Sequence, residues 1–110
     1  SALTRQNLDR IFREAVRLHE LNQTRVPTAE LNRWVAVWTG RVQMPNFKGK
    51  PLKILYATQP EVAPPTFVFF VNHPEFVTRA FENYLKNRIG EDLGLREVPF
   101  RLVFRGRREE

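Results

Sequence analysis

Residues Thr66–Val71 read TFVFFV, an apolar run with no alternation between polar and apolar side chains. Such a run is typical of a central strand that is covered on both faces. The preceding segment, Gln59–Pro65, contains three prolines and is not expected to continue a central strand, because proline lacks a backbone N–H. The segment Asn72–Pro74 is expected to turn the chain after the run. The run therefore predicts the central strand of a sheet, with its aromatic side chains in the core.

Two further strands are predicted, one on each side of this run in the sequence. In Leu52–Thr58, alternation places three side chains on one face: Leu52, Ile54 and Tyr56. Pro99–Arg105 shows the clearest alternation, with arginines on one face and three apolar side chains on the other: Phe100, Leu102 and Phe104. Arg41–Lys50 is expected to be a loop, because Pro45 and Gly49 interrupt it.

Three amphipathic helices are predicted around these strands. Apolar side chains recur at helical spacing over Leu8–Leu21 and predict one buried stripe. A second helix is expected between Thr28, a natural N-cap, and Gly40, and its two tryptophans are expected in the core. A third is expected over Glu75–Asp92, with Gly94 as its stop. The order is helix-helix-strand-strand-helix-strand, which predicts an α+β fold with the helices packed on one face of a three-stranded sheet.

Composition excludes several classes of protein. The chain has 110 residues, enough for one compact domain, and 42 % of them are hydrophobic and 27 % charged. These fractions are typical of neither a disordered nor a membrane protein. Without cysteine there can be no disulfide, thiolate nucleophile or cysteine–metal site. The two histidines, His19 and His73, are too few to predict a metal site.

No catalytic or nucleotide-binding motif is present. A phosphate-binding loop needs a glycine five residues before Gly49-Lys50 and a hydroxyl after it, but Met44 and Pro51 occupy those positions. No two glycines lie three residues apart, so the Gly-x-x-Gly clamp for nucleic acid is also absent. We therefore expect this chain to be no enzyme and to hold no cofactor of its own.

Positive charge is the main functional signal. Lys and Arg number 18 against 12 acidic residues, a net charge of +6, and fourteen of the 18 are arginine. Such a surface can bind phosphates, although a merely solvated surface explains the same composition. The candidate RNA-binding residues are Lys48, Lys50, Lys53, Arg79, Lys86, Arg88, Arg101, Arg105, Arg107 and Arg108.

Five stretches, in order and with plausible spacing, resemble one known family. They are Arg25–Trp34 (RVPTAELNRW), Gly49–Gln59 (GKPLKILYATQ), Pro64–Asn72 (PPTFVFFVN), Tyr84–Arg88 (YLKNR) and Pro99–Arg105 (PFRLVFR). Together they resemble the C-terminal KH-like domain of the bacterial tandem GTPases of the Der (EngA) family. The resemblance implies a KH-like domain over residues 25–106 and a charged tail over 107–110.

The resemblance also suggests an origin for residues 1–24. Ser1-Ala2-Leu3 is similar to the last guanine-contacting loop of a GTPase domain, and the helix after it is similar to the final helix of that domain. Residues 1–24 are therefore expected to be the end of the second GTPase domain, with Ser1 and Ala2 as a nucleotide-binding remnant. GTP and Mg²⁺ would belong to the GTPase domains of a longer parent protein.

The family implies a cytoplasmic protein that takes part in assembly of the large ribosomal subunit and does not contact a membrane. The implied partners are ribosomal RNA, the large ribosomal subunit and the GTPase domains of the same parent. Because the Gly-x-x-Gly clamp is missing, recognition of phosphates and shape is expected rather than base reading. The alternative is a protein-interaction module that docks the parent GTPase domains and has no direct RNA role.

Overall fold

The computed structural model describes residues 8–14 and 25–106. Residues 8–14 are helical. The later elements are α1 (Thr28–Gly40), β1 (Asn46–Phe47), β2 (Lys50–Pro51), β3 (Ile54–Val62), β4 (Pro65–Val71), a 3-10 turn (Pro74–Phe76), α2 (Arg79–Asp92) and β5 (Arg101–Gly106). The predictions made for residues 1–7, 15–24 and 107–110 lie outside the described residues.

The main sheet has the strand order β3-β4-β5, which makes β4 its central strand. β4 runs antiparallel to β3 and parallel to β5. Phe67, Phe69 and Val71 of β4 are 0 % exposed and join one core cluster with the buried side chains of α1 and α2. The α+β class, the three-stranded sheet and the central position of the TFVFFV run are confirmed.

The expectation that β4 is covered on both faces is confirmed except at Phe70, because Thr66 and Val68, on the face opposite the core cluster, are each only 8 % exposed. The core cluster lies on the face with Phe67 and Phe69, whereas Val68 and Phe70 alternate to the opposite face and lie outside that cluster. We call this opposite side the open face. Phe70 is half-buried there and stacks on Tyr56, with ring centroids 4.5 Å apart. Of the predicted core aromatics in this run, Phe67 and Phe69 are in the core and Phe70 is on the open face.

β3 departs most from its prediction. A register shift between Ile54 and Tyr56 reverses the alternation, so that Leu55 and Tyr56 are both exposed and Ala57 faces the core. Tyr56 was expected beside Ile54 on one face, and that prediction is wrong. The strand also continues through Pro60 to Val62, with a second irregularity between Thr58 and Glu61. Proline is tolerated here because β3 is an edge strand.

The outer edge of β3 is closed by a side chain of α1. The Asn32 amide donates to the carbonyl of Ala57 at 2.9 Å, and its oxygen accepts from the Ala57 N–H at 2.8 Å. A second hydrogen bond at this edge involves Gln59, whose side-chain Oε1 accepts from the backbone N–H of Val26 at 2.6 Å. These bonds satisfy backbone and side-chain polar groups that would otherwise be left without partners at a largely buried edge.

Asn32→Ala is expected to lower the free energy of unfolding by about 2 kcal/mol, because it removes two hydrogen bonds from the backbone of a buried residue. Asn32→Asp, which keeps the acceptor and loses the donor, should fall between the parent and the alanine variant. Urea unfolding of the three proteins measures the difference. A loss below about 0.5 kcal/mol for the alanine variant would contradict a stabilising role for this contact.

The helix ends differ from prediction by a few residues. α1 includes Thr28, because the Pro27 carbonyl already accepts from the N–H of Leu31 at 2.9 Å; Thr28 is therefore not the N-cap. α2 starts at Arg79 rather than Glu75, because Thr78 caps it and the residues before it form the 3-10 turn. Gly94 adopts φ 70°, which confirms the predicted stop.

The tryptophans of α1 anchor it in the core, as predicted. Trp38 is 0 % exposed, and its indole N–H donates to the Asp92 carboxylate at 2.7 Å. Trp34 stacks on Trp38 with ring centroids 5.9 Å apart and is partly buried. Tyr84 of α2 donates its hydroxyl to the Trp38 carbonyl at 2.7 Å, so the two helices are joined by hydrogen bonds as well as by packing.

The apolar stripe predicted for the first helix is exposed where it is described. Leu8, Ile11 and Phe12 are 52 %, 57 % and 70 % exposed. The prediction that they are buried is wrong for residues 8–14, because none of the described elements covers these side chains. The rest of the stripe, from Ala15 onward, lies outside the described residues.

Candidate nucleic-acid interface

Several chain segments converge at one end of the main sheet. The parallel strands β4 and β5 both finish there, with Val71 paired to Gly106, and the antiparallel β3 begins there, with Ile54 paired to Val71. The β1–β2 hairpin and the 3-10 turn adjoin the same end, and α2 begins three residues after that turn. Five predicted RNA-binding residues lie on these segments, and we call them the cationic end: Lys48, Lys50, Lys53, Arg79 and Arg105.

The β1–β2 hairpin occupies much of the segment that was predicted as a loop. Its two-residue turn, Lys48-Gly49, has positive φ at both positions, 54° and 81°. A turn with both central residues in this region fits the twist of a tight hairpin, and glycine adopts it without strain. The Asn46 side chain accepts from the Gly49 N–H at 3.0 Å and closes the turn. Lys48 and Lys50 are consequently presented at and beside an ordered hairpin tip.

Two sets of contacts hold the hairpin against the sheet end. The ring of Phe47 stacks on that of Phe76 in the 3-10 turn, with centroids 5.5 Å apart. Asn72, just after β4, accepts from the Lys53 N–H at 2.8 Å and donates to the Pro51 carbonyl at 3.1 Å. The backbone carrying Lys50 and Lys53 is therefore fixed relative to the end of β4.

Arg105 and Arg79 approach the same end from β5 and α2. The end of β5 packs on the 3-10 turn, since a Cβ placed on Gly106 would lie 3.1 Å from Cγ of Pro74. Arg79 is the first residue of α2, after a Thr78 hydroxyl that accepts from the N–H of Phe81 at 3.1 Å. The positive end of the α2 dipole therefore adds to the charge of the side chains.

All five side chains of the cationic end are exposed, and none forms an ion pair within residues 8–14 and 25–106. One acidic residue, Glu75, lies in the adjoining 3-10 turn, 3.6 Å from Nδ1 of His73. Lysine and arginine side chains that have no carboxylate partner keep their charge available for phosphates.

The other candidate RNA-binding residues that the structure describes do not lie at the cationic end. Arg101 pairs with Thr66 at the opposite end of β4 and β5, although it shares the open face with Arg105. Lys86 lies 3.3 Å from Glu82, and Arg88 lies 3.3 Å from Glu91 and 3.8 Å from Asp92. Both belong to ion pairs along α2. Arg107, Arg108, Ser1 and Ala2 lie outside the described residues.

Sequence reasoning missed two exposed aromatic side chains near this surface. Phe47 is 59 % exposed in a hairpin that was predicted as a loop, and Tyr56 is 48 % exposed on a face assigned by simple alternation. The Lys48-Gly49 dipeptide after Asn46 is a weak turn signal that could have indicated the hairpin. No feature of the sequence around Leu55 predicts the register shift in β3 that places Tyr56 on the exposed face.

Other kinds of site find no support in the described part of the chain. Residues 8–14 and 25–106 contain no group of three or more His, Asp or Glu side chains able to hold a metal ion. No helix within the same ranges combines the length and hydropathy needed to cross a membrane.

Comparison with known proteins identifies the domain. A family model described as the KH-domain-like region at the C-terminus of EngA bacterial GTPase enzymes matches residues 25–105. The chain belongs to this family. The match covers α1 and nearly all of β5, and so includes every described element of the cationic end. The resemblance drawn from the five sequence stretches is confirmed.

Individual relatives are similar over almost the whole chain. A protein named GTPase Der from Deinococcus deserti is 49 % identical over 100 % of this chain and 26 % of its own length. GTPase Der proteins from a Sulfurihydrogenibium species and from Thermomicrobium roseum are 40 % and 43 % identical, over 100 % and 97 % of this chain. The chain spans 25 % and 23 % of those two proteins, so it is about a quarter as long as these relatives.

Proposed function

We propose that this KH-like domain contacts RNA as part of a GTPase that acts in assembly of the large ribosomal subunit. The cationic end carries the proposal, because five exposed cations from four separate segments converge where a helix begins. The arrangement suits phosphate recognition, since charge pairing and counterion release need several cations within reach of one backbone. Residues 25–106 contribute binding and positioning, and GTP hydrolysis belongs to the rest of the parent protein.

The proposed recognition is of backbone and shape. The segment between β4 and α2 contains no Gly-x-x-Gly clamp, so the close backbone approach that this clamp allows is not available. Lysines on a hairpin tip and arginines at a strand end and a helix start can each hold a phosphate without reading a base. Ribosomal RNA and the large ribosomal subunit are the partners that fit this chemistry and the family.

Reversal of Arg79 and Arg105 to glutamate tests the proposal. Both side chains belong to the cationic end and are exposed, so the double variant should fold normally. Affinity for ribosomal RNA fragments should fall by at least about tenfold at low salt, measured by fluorescence anisotropy. Lys86→Glu with Arg96→Glu is the matched control, because it changes the net charge equally on residues that pair with Glu82 and Glu91. Equal losses in both variants would contradict a localised RNA contact.

The second candidate function is docking of a GTPase domain of the same parent. The exposed apolar side chains of Leu8, Ile11 and Phe12 favour it, because an uncovered stripe of this kind is typical of a segment that packs on another domain. It also fits the proposal that residues 1–24 are the end of a GTPase domain. If docking through this stripe is the main role, replacing Ile11 and Phe12 with serine should weaken association with the GTPase domains, and reversing cations of the cationic end should leave that association unchanged. The two functions can coexist on different surfaces.

A further inference from the structure

One row of side chains crosses the open face close to the cationic end. Tyr56 of β3 is paired with Phe70 of β4, and Phe70 is paired with Arg105 of β5. Residues paired across a sheet point to the same face, and neighbouring strands lie about 4.8 Å apart. The row therefore carries two aromatic residues and one arginine over two strand spacings.

The two rings of this row already form a stack. Their centroids are 4.5 Å apart and their planes differ by 14°. Phe70 is half-buried, and Tyr56 is 48 % exposed. The Tyr56 hydroxyl makes no hydrogen bond within the described part of the chain, so no described polar contact explains why this residue is a tyrosine. Because Phe70 covers the inner face of the Tyr56 ring, the ring face left open to solvent is the outer one, at the β3 edge of the sheet and on the side away from Arg105.

The next row on the open face is compatible with an apolar ligand surface. Thr58, Val68 and Val103 are paired across the three strands and carry no charge; Val68 is buried at 8 % exposure, and Thr58 and Val103 are partly exposed. The row beyond contains Glu61, Thr66 and Arg101, so a carboxylate shares that row with Arg101, whereas the row of Tyr56 and Arg105 contains no acidic residue. An exposed aromatic ring near the cationic end matches a ligand that has flat apolar rings on an anionic backbone.

Resting on the RNA contact proposed above, we propose that the open face binds an unpaired nucleotide of RNA, whose base stacks on the free face of the Tyr56 ring while neighbouring phosphates reach Lys53 and the cationic end. A base inside a duplex has both faces covered by its neighbours and cannot stack on a protein ring. The open face therefore selects single-stranded segments, loops or bulges. The selection needs no base-specific hydrogen bond, because every base offers a flat π-face.

The test compares Tyr56→Leu, Tyr56→Phe and Leu55→Ala in the 110-residue chain. Tyr56→Leu keeps an apolar side chain and removes the ring, whereas Tyr56→Phe keeps the ring. Leu55→Ala is the matched control, because Leu55 is the neighbouring residue and is 46 % exposed. The probes are a short oligoadenylate and an RNA duplex of the same length, each titrated by fluorescence anisotropy at low salt.

Tyr56→Leu should weaken binding of the oligoadenylate by roughly fivefold or more and leave binding of the duplex unchanged, because loss of one base stack affects unpaired RNA. Tyr56→Phe and Leu55→Ala should bind both probes as the parent does. Thermal unfolding of each variant checks the fold. Contacts between adenine protons and the Tyr56 ring in an NMR spectrum of the parent would support the stack without any substitution.

Two results would overturn this inference. The first is unchanged oligoadenylate binding by Tyr56→Leu, and the second is an equal loss of binding for both probes. If the parent bound neither probe nor ribosomal RNA, the RNA function itself would fail. Duplex binding without any effect at Tyr56 would refute the base stack alone.

Discussion

Replacing Phe69 with alanine is expected to lower the free energy of unfolding by about 3–5 kcal/mol. Phe69 is 0 % exposed in the central strand β4, and its ring stacks on Phe104 of β5 with centroids 5.5 Å apart. Alanine would remove a buried ring between the sheet and the helices, and the surrounding core cannot fill the cavity completely. Urea unfolding followed by circular dichroism measures the loss.

Phe47→Ala is the matched control for this prediction. It makes the same substitution in the β1–β2 hairpin, where Phe47 is 59 % exposed. Its cost should stay near or below about 1 kcal/mol, because the ring loses one stacking partner and leaves no enclosed cavity. A cost below about 1 kcal/mol for Phe69→Ala would mean that β4 is not the centre of the core, and the fold described above would be wrong.

Neutralising Lys48, Lys50 and Lys53 together as glutamine is expected to cause the largest loss of RNA affinity. Each lysine that holds a phosphate contributes about 0.7 to 0.9 to the slope of log affinity against log salt concentration. The triple variant should therefore lower that slope by roughly two to three and reduce affinity about a hundredfold or more at low salt. Titration of a ribosomal RNA fragment at several salt concentrations measures both quantities.

The control for the triple variant neutralises three cations away from the cationic end. Arg33, Lys86 and Arg96 are suitable, because Arg33 is exposed on α1 while Lys86 and Arg96 pair with glutamates. Their replacement by glutamine makes an equal change in net charge and should alter the slope by less than one. Equal effects from the two triple variants would show that the net charge of the domain, and not the cationic end, determines binding.

The sequence predicted the main elements because their signals are local or very strong. The apolar run of β4 can be satisfied in one way, as a strand between two others. The alternation in β5 leaves Phe104 against the core and Arg105 on the open face, as expected. Gly94 marks the end of α2 because few other residues adopt a positive φ.

The errors arise where tertiary contacts override local patterns. Tyr56 is turned outward by an irregularity in the pairing of β3 with β4, and alternation within β3 carries no information about it. Pro60 would end a central strand, yet β3 is an edge strand, a fact that depends on the order of the whole sheet. The β1–β2 hairpin is stabilised by stacking of Phe47 on Phe76, across a long sequence separation.

The sequence allowed the candidate RNA-binding residues to be named, but it did not predict which of them lie close together in the fold. Composition and motif absence identified the ten cations, but a sequence does not show which of them share a surface. The sheet topology separates the cations into those that share a surface and those that do not. Because β5 pairs parallel to β4, Arg105 lies at the sheet end that adjoins the hairpin. The same pairing leaves Arg101 at the far end. Lys86 and Arg88 are set apart by glutamate and aspartate partners along α2.

The most direct test of the account is the salt dependence of binding between this chain and ribosomal RNA fragments or large ribosomal subunits. Five cations at one end of the sheet predict saturable binding with a log–log slope between about three and five, since each contact contributes about 0.7 to 0.9. We expect this saturable binding to remain measurable at physiological salt. Weak, unsaturable binding that disappears by physiological salt would contradict the account and would leave the parent GTPase domains as the main partner.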